Sequence, residues 1–420
     1  MEKSKLKKIL IIIGFIIFTA LMAYLIWITF FKKDVGIEIN PNGTSTNSGL
    51  PSSSNNQGQL PNGTDGGQTT ATSSNTQTEP QPSDSGNNNQ ASAIAIGGVT
   101  KTDLLVSDSV LNQTLSQDGN SVQFYDQDDG KFYIVDENGN KIPLSDKVFY
   151  NVENVEWAPN KTKAVIEYPD DTKIVYDFAT EKQYTLPKHW EDFSFSTDST
   201  KLVNKSLGTD EDNRWLIVSS SDGSQSTAVE YIGTNDANVI ASWSPNNQTV
   251  GMYTKGVDFD TREVFFIGQN DENFKSTKIE GWGFEGQWST NGDRLLYSVY
   301  SPNNDLKPQL WIVEAQGDNI GTDRTNLNLQ TWSTKCTFAD NNTIYCAVPL
   351  YLQAGAGMYP SLADETPDHL YKINANNGIK ELIAVPDTTY NISSISVSTN
   401  QENLFFTDKT TGRLYKIRLK

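Results

Sequence analysis

The feature that most constrains the fold is a short phrase that recurs seven times along the chain. In its clearest copy, Ala241–Thr254, an apolar stretch ends at a tryptophan, turns through Ser-Pro-Asn-Asn and continues into a second apolar stretch. Two β-favouring stretches on either side of a proline-containing polar turn predict a β-hairpin. We refer to the residue at the position of Trp243 in each copy as its anchor. The seven anchors are Leu115, Trp157, Phe195, Trp243, Trp288, Phe338 and Val397.

The spacing of the anchors gives the size of the repeating unit. Consecutive anchors are 42, 38, 48, 45, 50 and 59 residues apart. After each hairpin comes another β-favouring phrase, such as KFYIVDENG or QLWIVEAQG, and most repeats close with a further apolar patch. Four short strands in about 45 residues are typical of one β-propeller blade.

The two ends of the repeat array are complementary. The last repeat stops at its third strand, Arg413–Lys420, whereas a lone strand, Thr102–Ser107, precedes the first full repeat. We expect the N-terminal strand to complete the last blade, because this closes an edge that would otherwise invite aggregation. The sequence therefore predicts an all-β propeller of seven four-stranded blades, with six or eight blades as alternatives.

The repeats also resemble a known family. Trp243-Ser244-Pro245-Asn246 followed by an apolar strand resembles the WD-repeat-like blades of TolB-type propellers, which also occur in relatives of prolyl oligopeptidase. The resemblance covers about residues 97–420. It implies that the anchors pack against neighbouring blades, and it transfers no catalytic residue to this chain.

The N-terminal segment predicts a membrane anchor. Residues 1–8 are basic, and the 23 residues of 9–31 carry no charge. A transmembrane helix needs about 20 apolar residues. The positive charge before the span predicts a cytoplasmic N-terminus and an extracytoplasmic propeller in a single-pass protein of the cell membrane. A cleaved signal peptide is the alternative, although its apolar region is usually shorter.

Residues 32–96 are predicted to be a disordered linker. They are rich in Asn, Ser, Thr, Gly and Pro, and no Lys or Arg lies in 35–96. Such a composition buries too little apolar surface to offset the entropy of ordering. A flexible coil of about 60 residues spans roughly 40–50 Å, so the linker could hold the propeller away from the bilayer.

The net charge of −18 resides in the predicted propeller, which contains 45 acidic and 27 basic side chains. A surface this acidic argues against nucleic acid or anionic lipid as the main ligand. Calcium binding by acidic turns such as YDQDDGKF stays open, but Asp, Asn and Gly favour turns for backbone reasons alone.

The two cysteines flank a predicted turn. If Phe338 pairs with Ile344, then Cys336 lies opposite Cys346, within disulfide range. An exported domain is an oxidising environment, which favours a disulfide over two buried thiols.

The sequence predicts no catalytic residue, no metal site and no cofactor. His189 and His369 are the two histidines, and neither belongs to a recognisable constellation. No G-x-S-x-G motif is present, so a serine hydrolase of the prolyl peptidase type is not expected.

Loop length is the irregular feature of the repeats. The connections between second and third strands are short in repeats one, two and seven, and we expect longer ones in the other four. The expected long connections are Asn204–Asn213, Thr254–Thr261, Tyr300–Pro308 and Pro349–Asp368. Long ordered loops on a rigid scaffold are where binding usually occurs. The candidate binding residues are Tyr351, Met358, Tyr359, Asp258, Asp260 and Arg262.

The function expected from these observations is a membrane-tethered, extracytoplasmic module that binds an envelope protein or glycan. The alternative is a propeller enzyme that acts on an extracellular glycan or peptide. It would require convergent acids or an arginine cluster near the central channel.

Overall fold

Seven antiparallel sheets, arranged as the blades of a propeller, account for the repeats. The computed structural model describes Thr19, Met22 and residues 91–420. Strands alternate in direction within every blade, and we label them a to d in chain order. The prediction of seven four-stranded blades is confirmed.

The strands of the first four blades are as follows. Blade 1 contains Val110–Leu115, Val122–Asp126, Lys131–Val135 and Lys141–Pro143. Blade 2 contains Asn154–Trp157, Lys163–Glu167, Lys173–Asp177 and Lys182–Leu186. Blade 3 contains Trp190–Phe195, Lys201–Leu207, Arg214–Ser220 and Thr227–Tyr231. Blade 4 contains Val239–Ala241, Gly251–Gly256, Thr261–Ile267 and Thr277–Glu280.

The remaining blades complete the ring. Blade 5 contains Trp282–Trp288, Arg294–Tyr300, Pro308–Glu314 and Thr325–Asn326. Blade 6 contains Cys336–Asp340, Thr343–Pro349, Asp368–Asn374 and Lys380–Pro386. Blade 7 contains Ile392–Val397, Asn403–Asp408, Leu414–Arg418 and, as its strand d, Asp103–Val106. Short 3-10 helices lie at Glu211–Asn213, Gly233–Asn238, Pro302–Asn304, Gly317–Asn319, Ser333–Lys335 and Pro360–Ala363.

The N-terminal strand closes the ring as the sequence predicts. In blade 7, Asp103 lies opposite Lys416 and Leu104 opposite Tyr415 in an antiparallel pair. An additional strand, which the sequence did not predict, is Val99–Thr100. It pairs in parallel with Lys380–Pro386 and gives blade 6 a fifth strand.

Part of the segment assigned to the linker contacts the propeller. The Ala95 amide donates to the carbonyl of Arg418 at 2.9 Å, and the Gly97 amide donates to the carbonyl of Ile383 at 2.8 Å. The ordered domain therefore includes residues 91–96, where Ser92 also forms a bridge with Thr100.

The apolar core lies between the blades rather than within them. Seven buried clusters each combine side chains from two neighbouring blades, and together they cover every junction of the ring. Each anchor packs in the cluster that joins its own blade to the preceding one. Trp157, for example, packs against Phe132 of blade 1 with ring centroids 5.5 Å apart.

The turn after each anchor explains why the phrase recurs. In blade 4 the buried Ser244 hydroxyl donates to Asn246 Oδ1 at 2.7 Å, and the same oxygen accepts the Gln248 amide. Equivalent pairs, at 2.6 to 2.7 Å, are Ser116 with Asp118, Ser196 with Asp198 and Ser398 with Asn400. A short acceptor side chain two residues after the serine thus holds the hairpin turn closed.

Neighbouring turns also bond to one another across the blade junctions. Thr197 Oγ1 donates to the carbonyl of Pro245 at 2.9 Å, and Asn246 Nδ2 donates to the carbonyl of Gly292 at 2.7 Å. At the closure between blades 7 and 1, the Thr399 amide donates to the carbonyl of Gly119 at 2.8 Å. These bonds align adjacent blades on the face that carries the a–b turns, which we call the lower face.

The cysteines form the expected pair. Cys336 lies opposite Cys346 in the a–b hairpin of blade 6, with Cα atoms 4.0 Å apart, and a disulfide joins them. Both sulfurs are buried in the cluster between blades 5 and 6.

The predicted transmembrane span lies outside the described residues apart from Thr19 and Met22, which are helical. Within the part of the chain that the structure describes, no helix is long and apolar enough to cross a membrane.

The closing strand offers a matched pair of substitutions. Val106 is 4 % exposed in the cluster between blades 7 and 1, whereas Leu104 on the same strand is 50 % exposed. We expect Val106→Asp to lower the free energy of unfolding by about 3–5 kcal/mol, because it buries an uncompensated charge. Leu104→Asp should change that free energy by less than about 0.5 kcal/mol.

Urea unfolding followed by tryptophan fluorescence measures both variants. Equal stabilities for the two variants would contradict closure of the ring by this strand.

Candidate functional site

The connections between strands b and c and those between successive blades emerge together on the face opposite the a–b turns, because strand direction alternates. We call this the upper face. The b–c connections are 208–213, 257–260, 301–307 and 350–367 in blades 3 to 6. The prediction of a long loop at Thr254–Thr261 in blade 4 is therefore wrong. Its strands run to Gly256 and begin again at Thr261, so the hairpin is long and its turn is short.

The long loop of blade 6 is held in place at its centre and on both sides. The amides of Gly355 and Gly357 donate to the carbonyls of Asp305 and Leu306 in blade 5, at 2.7 and 2.8 Å. Beneath the loop, Trp332, Ala356 and Ala363 form a separate buried cluster.

On the other side, a buried polar network ties the loop to blade 7. Lys335 Nζ donates to both carboxylate oxygens of Asp368, at 2.9 and 2.7 Å, and to Asn391 Oδ1 at 3.2 Å. Asn391 Nδ2 in turn donates to the carbonyl of Asp364 at 2.8 Å. All three ammonium protons have acceptors, so this network fixes the loop and leaves no free group for a ligand.

A cavity of about 420 Å³ opens beside this loop, at the junction of blades 4 and 5. That volume lies in the range of small-ligand sites. The apolar lining comes from Ile240, Trp282, Phe284, Tyr300 and Met358, and the polar lining from Asn238, Thr254 and Arg262. The cavity therefore combines aromatic rings with one guanidinium group.

Arg262 is unusual among the arginines of the chain. Arg214, Arg294 and Arg324 each pair with a carboxylate, and Arg413 and Arg418 each donate to a backbone carbonyl. Within the described residues Arg262 makes neither kind of bond, and its Nε atom is buried without an acceptor.

A glycine shapes the opposite wall. Gly283 follows Trp282 with φ +63, and a Cβ atom at this position would lie 2.3 Å from the ring of Tyr300. The glycine therefore lets Trp282 turn into the inner strand while Tyr300 packs directly against the backbone. The Phe259 ring, which does not line the cavity, meets Trp282 edge-on with centroids 5.3 Å apart.

The structure brings together two of the six predicted binding residues. Arg262 and Met358, from blades 4 and 6, line the same cavity. Tyr351 and Tyr359 lie on the long loop, 57 % and 61 % exposed, and do not line it.

The two predicted aspartates have local roles in the blade 4 turn. Asp258 accepts the amides of Thr261 and Asp260 at 2.7 and 3.0 Å, which lowers the pKa of Asp258. The carbonyl of Asp260 accepts the Gly281 amide at 2.7 Å, while its Oδ1 atom is buried without a donor.

The sequence pattern did not single out Trp282, Phe284 and Tyr300 as site residues. The phrase Gly-Trp-Gly-Phe does carry a signal, since glycines around an aromatic residue in a strand mark a bulge or close approach. The register shift between Trp282 and Glu285 is that bulge.

Exposed apolar side chains concentrate on the same part of the upper face. The turn of blade 4 and the loop of blade 6 carry Val257, Phe259, Leu350, Tyr351, Met358, Tyr359 and Leu362. A concentration of exposed apolar side chains on one face is a feature of interaction sites.

The central channel contains a different set of groups. The a strands of blades 6, 7, 1, 2, 3 and 4 contact one another in succession and so lie next to the axis. Burial raises the pKa of Glu156, on strand a of blade 2, to about 8. The positive charge of Lys161 lowers this pKa, and the negative charges of Asp192 and Glu167 raise it further. Asp192 itself is committed, because its Oδ2 accepts the Ala241 amide at 2.8 Å and lies 3.3 Å from Lys205 Nζ.

A second cavity of about 190 Å³ lies below the blade 6 loop, and Glu285 and Lys335 are among its lining residues. Burial raises the pKa of Glu285, whose Oε2 atom is buried without a donor. Among the described residues no group of three or more His, Cys, Asp or Glu side chains is arranged to hold a metal ion. The acidic turns bind their own backbone, as where Asp136 accepts the amides of Asn138 and Asn140.

Comparisons with known proteins identify the fold. No protein-family model matches the chain, and no curated protein matches its sequence. Among solved structures, the β-propeller domain of Cps50 (Swd1) from Myceliophthora thermophila superimposes with a TM-score of 0.51 at 12 % identity. The superposition covers 76 % of this chain and 100 % of the Swd1 domain.

Two further solved structures cover 76 % of this chain, each with a TM-score of 0.47. One is an oligogalacturonate lyase in complex with manganese, which is 16 % identical and is matched over 91 % of its own chain. The other is the tricorn protease, which is 11 % identical and is matched over 34 % of its own chain. Identities this low describe fold alone. The predicted resemblance to WD-repeat-like, TolB-type propellers is therefore confirmed as a likeness of fold.

The channel acid generates a pH-dependent prediction. Because the pKa of Glu156 is raised from 4.5 to about 8 on folding, the folded state binds more protons between these values. Stability is then lost as the pH rises through that window. We expect Glu156→Gln to match the wild type near pH 4 and to exceed its free energy of unfolding by roughly 2–4 kcal/mol near pH 9.

The control is Glu153→Gln, which removes an exposed carboxylate three residues away. Urea unfolding at both pH values measures the three proteins. A difference between Glu156→Gln and the wild type that does not change with pH would contradict the assignment.

Proposed function

We propose that this protein is a binding module of the cell envelope, in which a membrane-tethered propeller presents the upper face of blades 4 to 6 to a protein or glycan. The observation that carries the proposal is the exposed apolar surface around the 420 Å³ cavity, built on a loop held by hydrogen bonds to blades 5 and 7. A loop already ordered before binding loses little entropy when a partner docks.

The sequence supports the tether. The uncharged residues 9–31 follow a basic N-terminus, and residues 32–90 give the propeller reach beyond the bilayer. The acidic net charge argues against nucleic acid as the main partner.

A propeller enzyme is the second candidate. Glu156 favours it, because an acid with a pKa near 8 beside Lys161 is a combination that active sites use. It ranks second because the neighbouring Asp192 is held by the Ala241 amide, and because the a strands contain no arginine or histidine.

A capture experiment with matched variants tests the binding face. The full-length protein serves as bait against solubilised cell envelope. The upper-face variant combines Phe259→Ser, Tyr351→Ser and Tyr359→Ser. The control combines Ile142→Ser, Tyr184→Ser and Ile379→Ser, which remove comparable exposed apolar side chains from blades 1, 2 and 6.

We expect the wild type and the control to capture the same envelope component and the upper-face variant to lose it. Undiminished capture by the upper-face variant, with an unchanged circular dichroism spectrum, would place the site elsewhere.

A further inference from the structure

We infer that the cavity between blades 4 and 5 binds the C-terminal carboxylate of a protein partner whose last residue is apolar. The inference rests on the proposed function and names the partner chemistry at that site. Its basis is an arginine without a partner in a cavity lined by aromatic rings.

The guanidinium of Arg262 is available to bind an anion. It lines the cavity, makes no ion pair or hydrogen bond within the described chain, and keeps Nε buried. Leaving a buried donor unsatisfied costs free energy, which a ligand acceptor recovers. A carboxylate and a phosphate both match the planar fork of an arginine, and the single charge of a carboxylate suits this acidic chain better than the double charge of a phosphate.

The surroundings of Arg262 define what the carboxylate is attached to. Trp282, Phe284, Tyr300 and Met358 supply apolar walls beside the guanidinium. The Asn238 side-chain amide also lines the cavity and has no hydrogen-bond partner within the described residues, whereas the backbone carbonyl of Asn238 accepts from Thr254 Oγ1. The site thus offers a guanidinium group that can bind an anion, an apolar slot, and one amide that can form a hydrogen bond with a peptide group.

The C-terminal residue of a partner protein supplies both the carboxylate and the apolar group from a single residue. Its carboxylate and its side chain leave the same Cα atom, so both enter one cavity together. In an extended internal segment, an acidic residue and its apolar neighbour point to opposite sides, so only one of them could enter.

The rim favours a protein over a glycan. Val257 and Leu350 are exposed on the two loops that flank the cavity, and Leu362 lies on the second of them. Aliphatic side chains complement apolar protein surface but offer sugar hydroxyls neither hydrogen bonds nor a flat ring face. Because the net charge of the chain is −18, a single carboxylate in otherwise neutral surroundings suits the site better than an acidic polymer.

Titration calorimetry with defined peptides tests the inference on the full-length protein. The probes are N-acetyl-Gly-Gly-Phe with a free C-terminal carboxylate, the same peptide as its C-terminal amide, N-acetyl-Gly-Glu-Phe-amide, and a hexuronic acid disaccharide. We expect binding of the first probe and a loss of about 10- to 100-fold in affinity for the amide.

Substitutions link binding to the cavity. Arg262→Gln should lose the same factor for the carboxylate peptide, and Arg262→Lys should recover part of it. Arg413→Gln makes the same charge change at an exposed arginine outside the cavity and should leave the affinity unchanged. The melting temperature of Arg262→Gln should be no lower than that of the wild type, because the substitution breaks no bond in the described chain and removes a buried donor that has no acceptor.

Equal binding of the carboxylate and amide peptides, preference for the internal glutamate peptide or the sugar acid, or no binding of any probe would each overturn the inference. Such results leave the capture experiment standing, since loss of capture in the upper-face variant depends on exposed side chains outside the cavity. Failure of the proposed function is therefore distinguishable from failure of this assignment.

Discussion

Burial of apolar side chains between neighbouring blades is the interaction on which the structure depends. A single four-stranded blade has two apolar faces and cannot cover either, so each blade needs a neighbour on both sides. Seven clusters supply these contacts, and the N-terminal strand Asp103–Val106 completes the seventh blade so that the ring has no uncovered junction. The hydrogen-bonded lower turns then fix the alignment of adjacent blades.

This construction separates stability from recognition. The anchors and lower turns repeat because every junction has the same physical requirement. The upper connections carry no such requirement, which leaves them free to differ in length and composition. In blades 4, 5 and 6 they pack on one another and enclose a cavity, while the a strands below form a channel with its own titrating groups.

Much of the fold could be predicted because its causes are local and repeated. Ser244 and Asn246 encode their turn within three residues, and the register from Phe338 and Ile344 places Cys336 opposite Cys346. The missing fourth strand of the last repeat indicated the closure strand. The fifth strand, Val99–Thr100, could not be predicted, since two residues in a parallel pair leave no periodic pattern.

The site was only partly predictable for the same reason. Arg262 and Met358 stood out because they lie in irregular connections, but their proximity depends on how three blades are placed around the axis. Trp282 and Tyr300 belong to regular strands, where an aromatic residue is ordinarily core, and only the bulge at Gly283 redirects them. Blade 4 shows the opposite error, because a long hairpin with a short turn has the same polar composition as a long loop.

Hydrogen bonds to the neighbouring blades order the upper face before any partner binds, and hydrogen–deuterium exchange of the unliganded full-length protein measures this order at single amides. We expect the amides of Gly355 and Gly357, which donate to blade 5 at 2.7 and 2.8 Å, to exchange as slowly as amides in the strands of blade 6. Complete exchange of the 353–359 segment within seconds, at the rate of an open loop, would contradict it.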